Sequence, residues 1–170
     1  SLDELLLDGF YPTIYTKRNQ ANSLYRNYVK TYLERDVRQI LNIGDINAFQ
    51  SFLRVCANRI GSIFNASDIS NEIGVSSKTI KSWLSVLQAS FIVTLLPPFF
   101  ANTEKRLTKS PKIYFYDTGL VCYLLNIENE NQLKRDRIRG HLFENFVIIE
   151  AIKKRFNEGK DSNCFFYRDS

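Results

Sequence analysis

The chain of 170 residues has no methionine, one histidine (His141), one tryptophan (Trp83) and three cysteines. Cys56, Cys122 and Cys164 are odd in number, lie far apart and lack metal-ligand spacing. A disulfide framework and a zinc site are therefore excluded as organising devices, and a reducing, cytoplasmic location is expected. Long hydrophobic runs are missing too. The most apolar stretch, FIVTLLPPFFA at 91–101, is short and broken by Pro97 and Pro98, so no membrane partner is expected. Ser1 to Asp8 is acidic rather than basic, unlike a secretory leader. The missing methionine, and an apolar ending CFFYRDS that reads as a strand lacking a partner on one edge, lead to the expectation that the natural protein continues at both ends.

What is present favours a folded, nucleic-acid-facing domain. Thirteen Phe and nine Tyr supply ample area to bury, which excludes disorder. The net charge of +5 is concentrated. Residues 76–112 hold Lys78, Lys81, Lys105, Arg106, Lys109 and Lys112 against Glu104 alone, while the rest of the chain balances 17 basic with 17 acidic side chains. A local basic excess is the footprint of a phosphate-binding face, with a merely solvated basic surface as the alternative.

That excess begins inside SDISNEIGVSSKTIKSWLSVL at 67–87. The stretch reads as a short helix capped by Asn65 or Ser67, a turn at Gly74-Val75-Ser76, and a longer helix. In the longer helix Ile80, Leu84 and Leu87 face inward with Trp83 beside them, closed over by Ile69, Ile73 and Val75. Its other face presents Lys78, Lys81, Ser85 and Gln88. Lysine suits phosphate, and serine and glutamine can reach base edges. With no arginine in the stripe, contact driven by the nucleic-acid backbone is expected. A preceding helix starts near Asp45 or Asn47 and ends by Gly61, with Phe49, Phe52, Leu53, Cys56, Ala57 and Ile60 as its core stripe. Downstream, FIVTLL and PKIYFYD read as strands around the basic loop ANTEKRLTKS, which carries Lys105, Arg106 and Lys109. Three helices and a two-stranded wing make a winged helix. Such folds also serve as protein-docking surfaces, and that alternative stays open.

The flanks are mostly helical. A short helix and a loop around Gly9 and Pro12 occupy residues 1–20. A helical period then runs from Ala21 to Leu41, with Glu34 and Arg38 as a surface pair and Gly44 as a stop. DTGLVCYLLN predicts a short helix after a turn at Asp117–Gly119. IENENQLKRDRIRG predicts a flexible connection. HLFENFVIIEAIKKRF predicts a long helix, apolar on most sides and so sandwiched between other elements.

The blocks GFYP, YVKTYLERDVRQI, FNASDISNEIGVSSKTIKSWLSVLQASFIV, KRLTKSPKIYFYDTGL, GHLFENFVIIE and YRD together resemble the region after the ATPase core in a family of bacterial and archaeal AAA-type P-loop ATPases. The resemblance implies an ATPase domain upstream, with ATP and Mg expected for the full-length protein and no cofactor in this fragment. It implies that the C-terminal part is similar to the PD-(D/E)XK nuclease fold, whose early helical metal-binding glutamate matches Glu144. That fold's later acids would fall beyond Ser170. Glu150 does not replace them, because six residues turn a helix by roughly 240° net, onto another face. The alternative for Glu144 is a carboxylate near a helix N-terminus, favoured by the dipole. The chain lacks a G-x-x-x-x-G-K-[ST] phosphate loop, since Gly159-Lys160 has no earlier glycine at that spacing and is followed by Asp161.

The expected fold is mainly α: a helical segment at 1–44 following the ATPase domain, a winged helix-turn-helix at 45–126, and at 127–170 the start of a truncated α/β nuclease-like domain. The expected role is an accessory nucleic-acid-binding module, with duplex DNA and the upstream ATPase domain as partners and no catalytic residue in the fragment. A docking module of the same ATPase and part of a nuclease are the alternatives.

Overall fold

Short polar side chains set most of the helix starts. Ser1 caps α1 (Leu2–Asp8), its hydroxyl accepting from the Glu4 N–H while the Glu4 side chain closes a capping box. Asp45 caps α3 (Ile46–Asn58), Asn65 caps α4 (Ala66–Ile73) and Ser76 caps α5 (Ser77–Ala89). Asp117 caps α6 (Thr118–Leu124) and Asn129 caps α7 (Glu130–Arg135). Each such cap contributes about 1 kcal/mol. The turn between α4 and α5 needs Gly74, whose φ of 82° is left-handed and whose N–H donates to the Ser70 carbonyl.

The computed structural model describes residues 1–12, 14, 21–33, 35, 45–99 and 109–167. The described part is mainly helical. The period beginning at Ala21 forms α2 (Ala21–Asn27), which runs into a π turn at Tyr28–Leu33. Glu34, Arg38, Leu41 and Gly44 lie outside the described residues.

The sheet is small. β1 (Val93–Leu96) pairs antiparallel with β2 (Lys112–Phe115), Val93 opposite Phe115 and Leu96 opposite Lys112. The far edge of β2 is also satisfied. Ile113 accepts from the Gly61 N–H and donates to the Ser62 carbonyl, and the Phe64 N–H reaches the Pro111 carbonyl. Further along, the buried Asn145 side chain accepts from the Phe115 N–H and donates to the Phe115 carbonyl, both at 2.8 Å. One amide thus does for the strand what a neighbouring strand would do.

The main hydrophobic cluster joins all three stretches expected from the sequence. It includes Leu6 and Tyr25, then Phe49, Phe52, Ile80 and Leu87, then Leu133 and Leu142. Trp83 sits in it rather than beside it, edge-on to Phe49 at 5.5 Å. Cys56 and Cys122 are buried core side chains. A second cluster sets Leu96 and Tyr114 of the hairpin against Ile149 and Ile152 of α8 (Ile138–Asn157).

Three expectations are corrected. The polar stretch after Ile127 is not a flexible connection. Asn129 caps α7 there, and Leu133 is fully buried, so one apolar side chain and one cap hold it in place. Helix α8 is not sandwiched among the described residues. The hairpin covers one face, while Phe143 and Val147 are 46% and 49% exposed. The closing run forms no strand among the described residues, only one isolated bridge. Phe166 pairs in parallel with Pro98, its N–H donating to the Pro97 carbonyl and its carbonyl accepting from Phe99. Among the described residues no helix is long and apolar enough to cross a membrane.

Candidate functional site

The helix pair α4–α5 carries the expected stripe. Ile69, Ile80, Leu84 and Leu87 are buried, and burying that side leaves Lys78, Lys81, Ser85 and Gln88 exposed together along α5. Neither lysine has an ion-pair partner among the described residues. The Ser85 hydroxyl donates to the Lys81 carbonyl at 2.9 Å, so it offers a ligand lone pairs and no free proton. Lys109 is exposed three residues before β2. Lys105 and Arg106 lie outside the described residues.

Glu144 is held by the hairpin. Its carboxylate accepts from the Tyr114 hydroxyl at 2.5 Å and from Lys112 Nζ at 3.3 Å, and both donors stand on β2. Partial burial pushes its pKa up, but the Tyr114 and Lys112 contacts outweigh this and hold it below the usual carboxylate range. It sits in the second turn of α8, six residues after the helix begins, so a dipole-stabilised first-turn position is not the explanation. Among the described residues no group of three or more His, Cys, Asp or Glu side chains converges for a metal. Glu150 pairs with Lys153 instead. Asp169 lies outside the described residues.

Gly159 and Lys160 do not have the placement of a phosphate loop. A phosphate loop delivers its backbone N–H groups at the start of a helix. Gly159 and Lys160 follow the C-terminal end of α8, the negative end of that helix, and Lys160 is paired with Glu158 at 2.7 Å.

The most tightly built polar site was not legible from local sequence. Asp117 is 7% exposed. Its Oδ2 accepts from the Phe10 N–H at 2.7 Å, and its Oδ1 accepts from the Leu120 N–H at 2.9 Å. The Tyr25 hydroxyl lies 2.6 Å from Oδ1 and 2.8 Å from the Asp8 carbonyl. Burial raises the Asp117 pKa, against the hydrogen bonds and the Lys153 charge that pull it down. Burial also drives the Tyr25 phenol well above its usual value, so it stays protonated. Two glycines make room. A Cβ at Gly119 would collide with the Tyr25 hydroxyl and the Asp8 carbonyl, and one at Gly9, where φ is 78°, with Tyr25 and Asp117. The GFYP block, the helix at Ala21 and the DTGL block thus meet at one carboxylate. Three donors converge on it from 3 to 107 residues away, which ties the chain's opening segment to the helix after the hairpin.

The chain is 33% identical over 148 residues to uncharacterized proteins of Mycobacterium tuberculosis and Mycobacterium bovis, which covers 86% of this chain and 34% of each relative. It is 20% identical over 154 residues to an uncharacterized protein of Haemophilus influenzae, covering 88% of this chain and 37% of that one. It therefore spans about a third of the length of the curated relatives it matches. No solved structure matches it at a significant level. The family described as a domain of unknown function, DUF8612, matches residues 1–131, a stretch that contains α5 and the whole Asp117 hub and ends before Glu144. The chain belongs to that DUF8612 family.

Proposed function

We propose that this chain is a winged-helix module that contacts the backbone of duplex nucleic acid, serving as an accessory part of a longer AAA-type ATPase. The observation that carries the reading is the row of exposed Lys78, Lys81, Ser85 and Gln88 on α5, with neither lysine ion-paired among the described residues. The order of elements agrees with it. Helices α3, α4 and α5 are followed by an antiparallel hairpin whose connection, residues 97–111, contains the remaining basic residues Lys105, Arg106 and Lys109. The shortness of the chain beside its relatives fits a module within a larger protein, and the resemblance to AAA-type ATPases names that protein's class.

The contact is expected to be weak, salt-sensitive and indifferent to sequence. Lysines supply point charges for phosphate, the α5 stripe carries no arginine to read guanine, and Ser85 spends its proton on the helix backbone. Titration of a short duplex at two or more salt concentrations tests this. The Lys78→Ala/Lys81→Ala variant should bind all sequences more weakly, with the slope of log K against log salt reduced by about 1.8, or about 0.9 for each lost phosphate contact. Identical binding by the two proteins, or no binding by either at low salt, would make this face a docking surface for protein.

A second expectation concerns nucleotide. With no phosphate loop, the isolated chain should neither hydrolyse ATP nor bind it tightly by calorimetry, with or without Mg. Stoichiometric binding would mean that a different site holds ATP. The nuclease reading has only Glu144 behind it, and that carboxylate is already engaged by Tyr114 and Lys112.

A further inference from the structure

The π turn at Tyr28–Leu33 closes wider rings than an α-helix, and such turns recur at functional sites. Here it borders a cleft of about 150 Å³ between the turn, α3 and the end of α6. The floor of the cleft is apolar, made by Val29, Leu53 and Leu124, all buried. Its rim carries three exposed polar side chains, Lys30 from the π turn, Arg54 from α3 and Asn126 just beyond α6. Among the described residues no carboxylate lines it.

Among the described residues the charge on this rim is left uncompensated. Arg59, Lys112 and Arg139 each hold a carboxylate, whereas Lys30 and Arg54 have no ion-pair partner there. Asn126 takes a left-handed φ of 56°, which asparagine tolerates, so the turn accounts for its backbone. Among the described residues its side-chain amide makes no hydrogen bond and is a donor open to a ligand. Two cations and an amide donor over a low-dielectric floor describe an anion site. The apolar floor strengthens the attraction, and the guanidinium fork suits two oxygens of one tetrahedral anion.

We propose that this cleft binds a single phosphate group, held between Lys30 and Arg54 with Asn126 as a further donor. Size fixes the class. Pockets for drug-sized ligands run from about 300 to 1,000 Å³, and this one takes a phosphate group or pyrophosphate, with any nucleoside attached to it left outside the cleft. None of its residues belongs to the α5 stripe, so the inference stands independently of the proposed nucleic-acid contact.

The test is an NMR titration of the chain with inorganic phosphate and with pyrophosphate at constant ionic strength. Saturable shifts should appear at Lys30, Arg54 and Asn126, with pyrophosphate binding tighter. The Lys30→Gln/Arg54→Gln variant should bind at least tenfold more weakly. Arg26→Gln/Arg137→Gln, which removes the same charge from exposed positions off the cleft, should stay within twofold of the original. Unsaturable shifts spread over all surface cations, or an equal loss in the control variant, would overturn the proposal. A short duplex added to the pyrophosphate-bound chain identifies the source. Displacement from the cleft assigns the site to a nucleic-acid backbone phosphate, and retention assigns it to a small phosphate ligand.

Discussion

Replacing Asp117 with alanine is expected to cost about 3–5 kcal/mol, a third or more of the stability of an ordinary domain. The truncation leaves the part-buried Phe10 N–H and the buried Leu120 N–H without an acceptor, at about 1–3 kcal/mol each, the second of these being the α6 cap. Tyr25 suffers less, because its hydroxyl keeps the Asp8 carbonyl. Asp117→Asn should fall between alanine and the original. Its one carbonyl oxygen can serve Leu120 and Tyr25, but its NH2 then faces the Phe10 N–H, donor against donor. Urea midpoints at unchanged slope measure both variants. A loss below about 1 kcal/mol for alanine would mean that the hub is solvated.

The same carboxyl fixes a sign for pH. One phenol proton stands between two acceptors, so an ionised Asp117 and the Asp8 carbonyl compete for it. A protonated Asp117 resolves the competition by donating to the Tyr25 oxygen while Tyr25 donates to Asp8. Burial raises the folded-state pKa, so the contribution of this group is fully present below its unfolded value of about 3.9 and is lost as pH rises through the folded value. Glu144 runs the other way. Its pKa is lowered, so its contribution is present above its unfolded value and is lost as pH falls through the folded one. Comparing wild type with Asp117→Asn cancels Glu144. The stability difference should shift in favour of wild type as pH falls from 7 to 4. A difference that is flat or moves the other way across that range would refute the argument.

Local signals carried much of the fold. Asn65, Asp45 and Ser76 are polar residues just before apolar periods, and each caps a helix. The two strands show as β-branched and aromatic runs bounded by proline or turn residues, and they pair. Asp117 was visible as a turn residue before a helix, which is its contact with Leu120 three residues away. Its contacts with Phe10 and Tyr25, 107 and 92 residues distant, have no local trace. Asn145 shows the same limit. Inside an apolar helix it looks like a polar interruption, and only the edge of β2 gives it two partners. Helix α7 leaves no such signal, because its single buried leucine makes no period, and a period needs repetition. The cleft at Lys30 depends on a π turn, which differs from an α-helix by one hydrogen-bond step that composition does not encode.

Ile80→Ala should destabilise the chain by about 2–5 kcal/mol, as a core truncation that leaves a cavity. Ile80 is fully buried on α5, two residues from Lys78 and one from Lys81, in the cluster with Phe49, Phe52 and Leu87. Its neighbours cannot collapse freely into the space. Phe49, Phe52 and Trp83 hold one another at ring-centroid distances of 5.5 to 6.2 Å, so a shift of one ring disturbs the other two. The exposed lysines on the same helix should behave in the opposite way. Lys78→Ala and Lys81→Ala should each stay within about 0.5 kcal/mol of wild type in a urea melt, because neither side chain is buried, and neither is ion-paired among the described residues. The contrast separates fold from function on a single helix. Nucleic-acid affinity lost in the lysine variant cannot then be ascribed to unfolding. If Ile80→Ala melts with wild type, α5 does not present its lysine face as described, and the case for that face as the nucleic-acid contact falls with it.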